Sequence, residues 1–141
     1  MSNADTRLIV ELRHPQAQLP RKAHPSDACY DLFLPEAADV APKETKALDL
    51  GIALQLEEGW EVQVRGRSGL AKRGFVVHPG TIDHLYRQNL WLIVHNLTDA
   101  PFSFRAGDRV AQMKISRVWQ AELLAGTVEA SDRGGLGSTG R

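Results

Sequence analysis

The sequence has little of several features that would point to particular classes of protein. Its 141 residues include a single cysteine, Cys29, which excludes a framework of intrachain disulfides. No apolar run approaches the roughly 20 residues that a membrane-spanning helix needs. The 17 basic residues balance 17 acidic ones, so the general positive charge of a nucleic-acid coat protein is absent as well. We therefore expect a cytoplasmic protein that acts without a membrane or a nucleic acid.

The apolar residues fall in short runs separated by Pro, Gly and Asp, a pattern typical of an all-β sandwich or barrel. The runs cover residues 8–12, 30–34, 51–56, 60–64, 75–77, 90–94 and 110–115. Residues 90–94 are apolar throughout, as in a strand buried on both faces, so this strand is a candidate for a subunit interface. One short helix is expected over residues 68–73, capped by Ser68 and ended by Gly74.

Composition divides the chain into three parts. Residues 1–4 read Met-Ser-Asn-Ala and look more like an expression remnant than part of a fold. Residues 5–125 contain all the expected strands and form one β domain. Residues 126–141 contain five glycines and too few apolar side chains to offset the entropy of ordering, so we expect a mobile tail.

Two segments carry groups suited to holding phosphate. In residues 133–140, glycines alternate with Arg133, Ser138 and Thr139, so backbone N–H groups and side chains could wrap around phosphate oxygens. In residues 66–71, Arg67 precedes a helix start whose free N–H groups attract anions. The alternatives are a flexible solubilising terminus for the first segment and an ordinary strand-to-helix turn for the second.

Two further segments offer groups that could act on water or a sugar. Asp83 lies three residues before Tyr86, so a general base and a flat aromatic surface lie close together, although Asp is more often a turn residue. In residues 107–112 a turn leads into a strand carrying Gln112, and Asp108 and Arg109 are expected to form a structural ion pair. The five histidines and Cys29 lack the spacing of a zinc site.

Taken in order, five segments of the chain resemble the five motifs of the trimeric dUTP nucleotidohydrolases (dUTPases). They are residues 28–32, 66–71, 80–86, 107–112 and 133–140. The resemblance implies a jelly-roll or β-barrel fold of the β-clip type, and a homotrimer whose shared active sites are closed by a swapped tail. It also implies Mg²⁺-assisted hydrolysis of dUTP to dUMP and diphosphate, which limits uracil in DNA and supplies dUMP.

The resemblance also implies a role for each matching residue. Asp83 would activate the attacking water, with Gln112 close to that water. Tyr86 would lie under the deoxyribose. Asp31 would reach Mg²⁺ through water. The other expected substrate-binding residues are Arg67, Ser68, Gly69, Gly80, Thr81, Ile82, Arg133, Leu136, Gly137, Ser138 and Thr139.

Three departures from the family pattern lie beside the base or the turn near it. Leu136 stands where the family has an aromatic ring, the connection before Gly80 is about two residues shorter, and Gln88 replaces a glycine. Losing a stacked ring lowers affinity for the base by roughly 1 kcal/mol. These changes leave two alternatives open: a diphosphatase with an altered preference among pyrimidine dNTPs, or a nucleotide-binding trimer without catalysis.

Overall fold

The computed structural model describes residues 4–137 and shows the expected all-β protein with one short helix. The strands in this part of the chain are β1 (Leu8–Leu12), β2 (Tyr30–Phe33), β3 (Ala38–Val40), β4 (Thr45–Leu56), β5 (Trp60–Arg65), β6 (Phe75–Val77), β7 (Gly80–Ile82), β8 (Asn89–Asn96), β9 (Phe102–Phe104) and β10 (Arg109–Arg117). The helix α1 covers Ser68–Lys72, between β5 and β6.

The strands form two four-stranded sheets around one apolar core. One sheet has the order β1-β4-β8-β6 and the other the order β2-β10-β5-β7, and β3 and β9 form a small additional pair. Both large sheets direct buried Leu and Val side chains into the shared core, whose largest fully buried side chain is Phe75. All these strand pairs are antiparallel. Because neighbouring strands in a sheet are often distant in sequence, the site described below draws on separate segments.

The seven expected strands are present, and the differences concern their bounds. β4 begins at Thr45 rather than residue 51, because Gly51, at φ +65°, lies within an irregularity between Asp49 and Ala53 and not at the start of the strand. The short strands β3, β7 and β9 were not predicted. Each has only three residues, which is too few for a hydrophobic pattern to reveal.

Strand β8 is buried on only one face within a single chain. Leu90, Leu92 and Val94 point into the core, whereas Trp91 and Ile93 are 51% and 46% exposed on the outer face. The expectation of burial on both faces is therefore wrong for the isolated chain, because no element of the described residues covers this face. Burial of Trp91 and Ile93 against another subunit stays a prediction. Within residues 4–137, no helix has the length and hydrophobicity needed to cross a bilayer.

Candidate active site

Five of the expected site residues line one cavity of about 800 Å³. We call this cavity the phosphate pocket. These residues are Asp31 on β2, Arg67 before the helix, Ser68 and Gly69 in the helix, and Gln112 on β10. Their segments are far apart in sequence, and the sheet brings them together because β10 lies between β2 and β5.

Asp31 and Gln112 face the pocket from neighbouring strands. They are directly paired in the β2–β10 register, so their side chains project to the same face with Cβ atoms about 5 Å apart. The Gln112 Nε2 atom donates a 2.9 Å hydrogen bond to the carbonyl oxygen of Gly66. That bond ties the turn before the helix to β10 and leaves Oε1 as the atom of Gln112 that can accept a hydrogen bond from water.

The helix start differs in one respect from the sequence expectation. Arg67 is the N-cap residue, and no side chain caps the helix, so the predicted capping role of Ser68 is wrong. Ser68 is already inside the first turn, where its hydroxyl is not placed to cap, and it is therefore available to a ligand. A Cβ atom at Gly69 would meet nothing within 4 Å, so the open space above Gly69 belongs to the pocket. Gly74 follows the helix at φ +92°, as expected.

Arg109 also lines the phosphate pocket, and the sequence did not identify it as a site residue. Its Nη1 atom lies 3.2 Å from Asp31 Oδ2, whereas Asp108 Oδ2 accepts a hydrogen bond from the backbone N–H of Arg105. The predicted Asp108–Arg109 ion pair is therefore wrong, because Asp108 closes its own turn and Arg109 reaches across the sheet. No local pattern signals a partner that is 78 residues away.

The segment containing Asp83 and Tyr86 forms a separate tight turn after β7. The backbone N–H of Tyr86 donates to the carbonyl oxygen of Asp83 at 3.1 Å. The Tyr86 hydroxyl donates to the carbonyl oxygen of Asn89 at 2.8 Å, which fixes an aromatic ring that remains exposed. The Asp83 side chain is exposed as well. Gly80, Thr81 and Ile82 form β7 itself and pair with β5.

One chain does not bring Asp83 to Gln112. Continuing the β5–β7 register places Asp83 opposite Glu61, and Glu61 pairs with Ser116, four residues along β10 from Gln112. With strands about 4.8 Å apart and a rise of about 3.3 Å per residue, the two Cα atoms are roughly 16 Å apart. Two side chains cannot bridge that distance to act on one water molecule.

The C-terminal segment is exposed over its described length. After β10 ends at Arg117, the described residues contain no further helix or strand and are all exposed. Arg133, Leu136 and Gly137 lie in this segment, and the backbone N–H of Arg133 contacts Ser131 Oγ at 3.4 Å. Ser138 and Thr139 lie outside the described residues.

The donor set of the pocket suits a metal ion that arrives with a ligand. Residues 4–137 contain no cluster of three or more His, Cys, Asp or Glu side chains that could hold a metal ion by themselves. Asp31 and Asp27 are the carboxylates that line the pocket. Mg²⁺ commonly keeps several waters and binds through one or two carboxylates together with substrate phosphates, so this lining fits a Mg²⁺–triphosphate complex.

Comparison with known proteins identifies the family. Residues 15–140 match the dUTPase family. The chain belongs to the dUTPase family. Two of its relatives, each named deoxyuridine 5'-triphosphate nucleotidohydrolase, come from Wolinella succinogenes and Anaeromyxobacter sp. and are each 43% identical to it. The first alignment covers 91% of this chain and 90% of the relative, and the second covers 94% of each.

Solved dUTPase structures share the fold over most of the chain. The dUTPase of Staphylococcus bacteriophage 80alpha with dUpNHpp superposes with a TM-score of 0.85 at 26% identity, over 99% of both chains. A variant dUTPase from phage phi11 of S. aureus, whose structure describes a structural Mg(II) ion, superposes with a TM-score of 0.77 at 26% identity, over 88% of this chain and 97% of the other.

Proposed function

We propose that this dUTPase-family protein hydrolyses dUTP to dUMP and diphosphate, which would limit uracil in DNA and supply dUMP. The observation that carries the proposal is the phosphate pocket, where Asp31, Arg67, Ser68, Gly69 and Gln112 line one cavity. Phosphoryl transfer depends mainly on positioning and charge neutralisation, and this pocket offers groups for both.

The pocket would hold the triphosphate of dUTP. The Arg67 guanidinium supplies positive charge, and the Ser68 hydroxyl with the backbone N–H groups beside Gly69 supplies hydrogen-bond donors. Asp31 would hold Mg²⁺ through water. When bound, Mg²⁺ neutralises negative charge on the phosphates and on the departing diphosphate.

Water would attack the α-phosphorus. A bond forms between the water oxygen and phosphorus as the bond from phosphorus to the α,β-bridging oxygen breaks, and diphosphate leaves. The Asp83 carboxylate would take the water proton as general base, and Gln112 Oε1 would accept a hydrogen bond from the same water. The exposed, fixed ring of Tyr86 would lie under the deoxyribose.

The reaction requires more than one copy of the chain, and we propose the homotrimer that the family resemblance implies. The separation of roughly 16 Å between Asp83 and Gln112 supports a site that combines the turn of one subunit with the phosphate pocket of another. The exposed Trp91 and Ile93 offer an apolar face for the contact. From Arg117 to Arg133 the chain can extend up to about 55 Å, enough for Arg133 and the following residues to close over the phosphates of another subunit.

The base preference of the site is a second question. Only His78 and Pro79 connect β6 in one sheet to β7 in the other, so this connection is short. Leu136 offers no ring to stack on a base. Both features favour weaker selection of uracil, and a preference that extends to other pyrimidine dNTPs is the alternative to a strict dUTPase.

Diphosphate release from each dNTP, supplied separately with Mg²⁺, tests the proposal. We expect turnover of dUTP. A kcat/KM for dUTP more than about a hundredfold above those for dTTP and dCTP would exclude the broader preference. Binding of nucleotide without any release of diphosphate would contradict the enzymatic function and leave a nucleotide-binding trimer.

A further inference from the structure

Arg109 contacts two charged residues of the phosphate pocket, Asp31 and Arg67. Its Nη1 atom is 3.2 Å from Asp31 Oδ2, and its main-chain carbonyl oxygen accepts a 3.0 Å hydrogen bond from Arg67 Nη1. A carboxylate from β2 and a guanidinium from the turn before α1 are therefore both attached to one residue of β10. The relative position of these two groups depends on where Arg109 lies.

An irregularity in β10 gives Arg109 this position. The register against β2 shifts between Arg109, which pairs with Phe33, and Ala111, which pairs with Leu32. Val110 and Ala111 are consecutive and both fully buried, which regular strand alternation does not allow. In a regular strand Arg109 would point into the core with Ala111. The bulge places it on the same side as Gln112, in the pocket.

The ion pair also matches the burial of its two members. The Asp31 side chain is only 15% exposed and the Arg109 side chain 45% exposed. A carboxylate buried to this extent is unfavourable without a charged or hydrogen-bonding partner. Arg109 is the partner that the structure gives to the Asp31 carboxylate, and it approaches from the pocket wall.

We propose that Arg109 is a positioning residue that holds Asp31 in the place from which it serves the Mg²⁺–nucleotide complex. This inference rests on the proposed function, because it assigns Asp31 to that complex. Arg109 acts through Asp31: the guanidinium fixes the carboxylate, and the carboxylate meets the ligand. An arginine that contacted phosphate directly would contribute without Asp31, and this difference makes the two roles separable.

A double-mutant cycle distinguishes them. The variants are Arg109→Met, Asp31→Ala and their combination, and the readout is the affinity for dUpNHpp, measured by calorimetry over a series of Mg²⁺ concentrations. Mutating a residue that orients a metal-binding group typically lowers metal affinity about 10–100-fold, so we expect Arg109→Met to weaken Mg²⁺-dependent binding about ten- to a hundredfold. In the Asp31→Ala background the same substitution should change affinity less than about threefold, because residues that act as a unit are non-additive.

Two further variants serve as controls. Arg117→Met removes an arginine at the other end of β10, whose guanidinium lies over the Trp60 ring, and should leave nucleotide affinity unchanged. Arg109→Lys keeps one charged contact without the planar fork and should recover part of the lost affinity. Thermal melting shows whether Arg109→Met folds. If it does not, Arg109→Lys, measured in the wild-type protein and in Asp31→Ala, supplies the same cycle.

If Arg109→Met lowers the affinity for dUpNHpp equally with and without Asp31, the proposal is overturned in favour of direct contact between Arg109 and phosphate. Wild-type affinity in Arg109→Met would overturn it altogether. The binding assay does not depend on turnover. A wild-type protein that binds dUpNHpp but releases no diphosphate from dUTP would therefore contradict the proposed function alone.

Discussion

The phosphate pocket and the Asp83–Tyr86 turn differ in how completely one chain assembles them. In the pocket, hydrogen bonds and an ion pair within the chain connect the groups from β2, the helix start and β10. The turn fixes the Tyr86 ring but leaves the Asp83 carboxylate exposed, roughly 16 Å from Gln112. A single chain therefore assembles the phosphate pocket, whereas Asp83, the proposed general base, would reach that pocket only from another copy.

Among the tests of this comparison, removing the proposed general base, Asp83, should have the largest effect on activity. Asp83→Asn keeps the size of the side chain but cannot take the water proton, so kcat should fall about 10²–10⁴-fold. Diphosphate release measures the loss, and sedimentation should show an unchanged assembly. Because the phosphate pocket is intact, affinity for dUpNHpp should stay near the wild-type value. Near wild-type turnover in this variant would remove Asp83 from the mechanism.

Mixing two inactive variants tests directly whether the phosphate pocket and the Asp83–Tyr86 turn of one active site come from different copies of the chain. Asp83→Asn lacks the base and Arg67→Met lacks the phosphate cation, so each protein alone should be nearly inactive. After co-refolding at equal amounts, about one quarter of the sites in randomly mixed cyclic trimers combine an intact Asp83 with an intact Arg67. We expect activity to return to about that fraction of the wild-type value.

The control for this experiment mixes the two variants without refolding, so that subunits do not exchange. Activity should then stay at the background of the separate proteins. If co-refolded mixtures also stay at background while wild-type protein treated in the same way recovers, the two regions act within one chain and the shared site is wrong.

Deleting residues 133–141 should lower kcat/KM for dUTP about a hundredfold or more, because an arginine that neutralises phosphate charge typically contributes at least that much. The melting temperature should not change, since the described part of the tail is exposed and forms no helix or strand. Glu129→Gln, in the same exposed segment, is the matched control and should behave as wild type. Unchanged kinetics after the deletion would contradict the closing role of the tail.

The smallest expected effect is on binding of the nucleobase. Leu136→Phe restores a ring that can stack on uracil, so KM for dUTP should fall about two- to tenfold, the equivalent of roughly 0.5–1.5 kcal/mol for an aromatic pair. Val128→Phe adds the same ring elsewhere in the exposed tail and should leave KM unchanged. A KM that does not respond to Leu136→Phe would indicate that this position does not cover the base.

Much of the fold could be predicted from the sequence because its signals are local. Short apolar runs separated by Pro, Gly and Asp predicted most strands, and Gly74 marked the end of the helix. The strands β3, β7 and β9 have three residues each and carry no readable period. The apolar run at residues 90–94 predicted a strand correctly. The sequence of this run does not indicate whether Trp91 is covered by its own chain or by another.

The candidate site shows the same division. The order of the five motifs predicted Asp31, Arg67, Asp83 and Gln112 as site residues, and the structure brings Asp31, Arg67 and Gln112 to one cavity. The order of the motifs did not indicate that Asp83 and Gln112 lie apart within one chain, because that distance follows from strand order and register. The capping role predicted for Ser68 was wrong for a similar reason: the backbone at Arg67 decides where the helix begins.

The sequence by itself therefore determined the all-β class, the motif residues and the family, since each depends on residue types within short segments. Only the tertiary structure decided which of those residues meet. The Arg109–Asp31 pair joins residues 78 positions apart, and a bulge in β10 turns Arg109 from the core toward the pocket. Such contacts depend on sheet register, where one extra residue reverses the direction of a side chain.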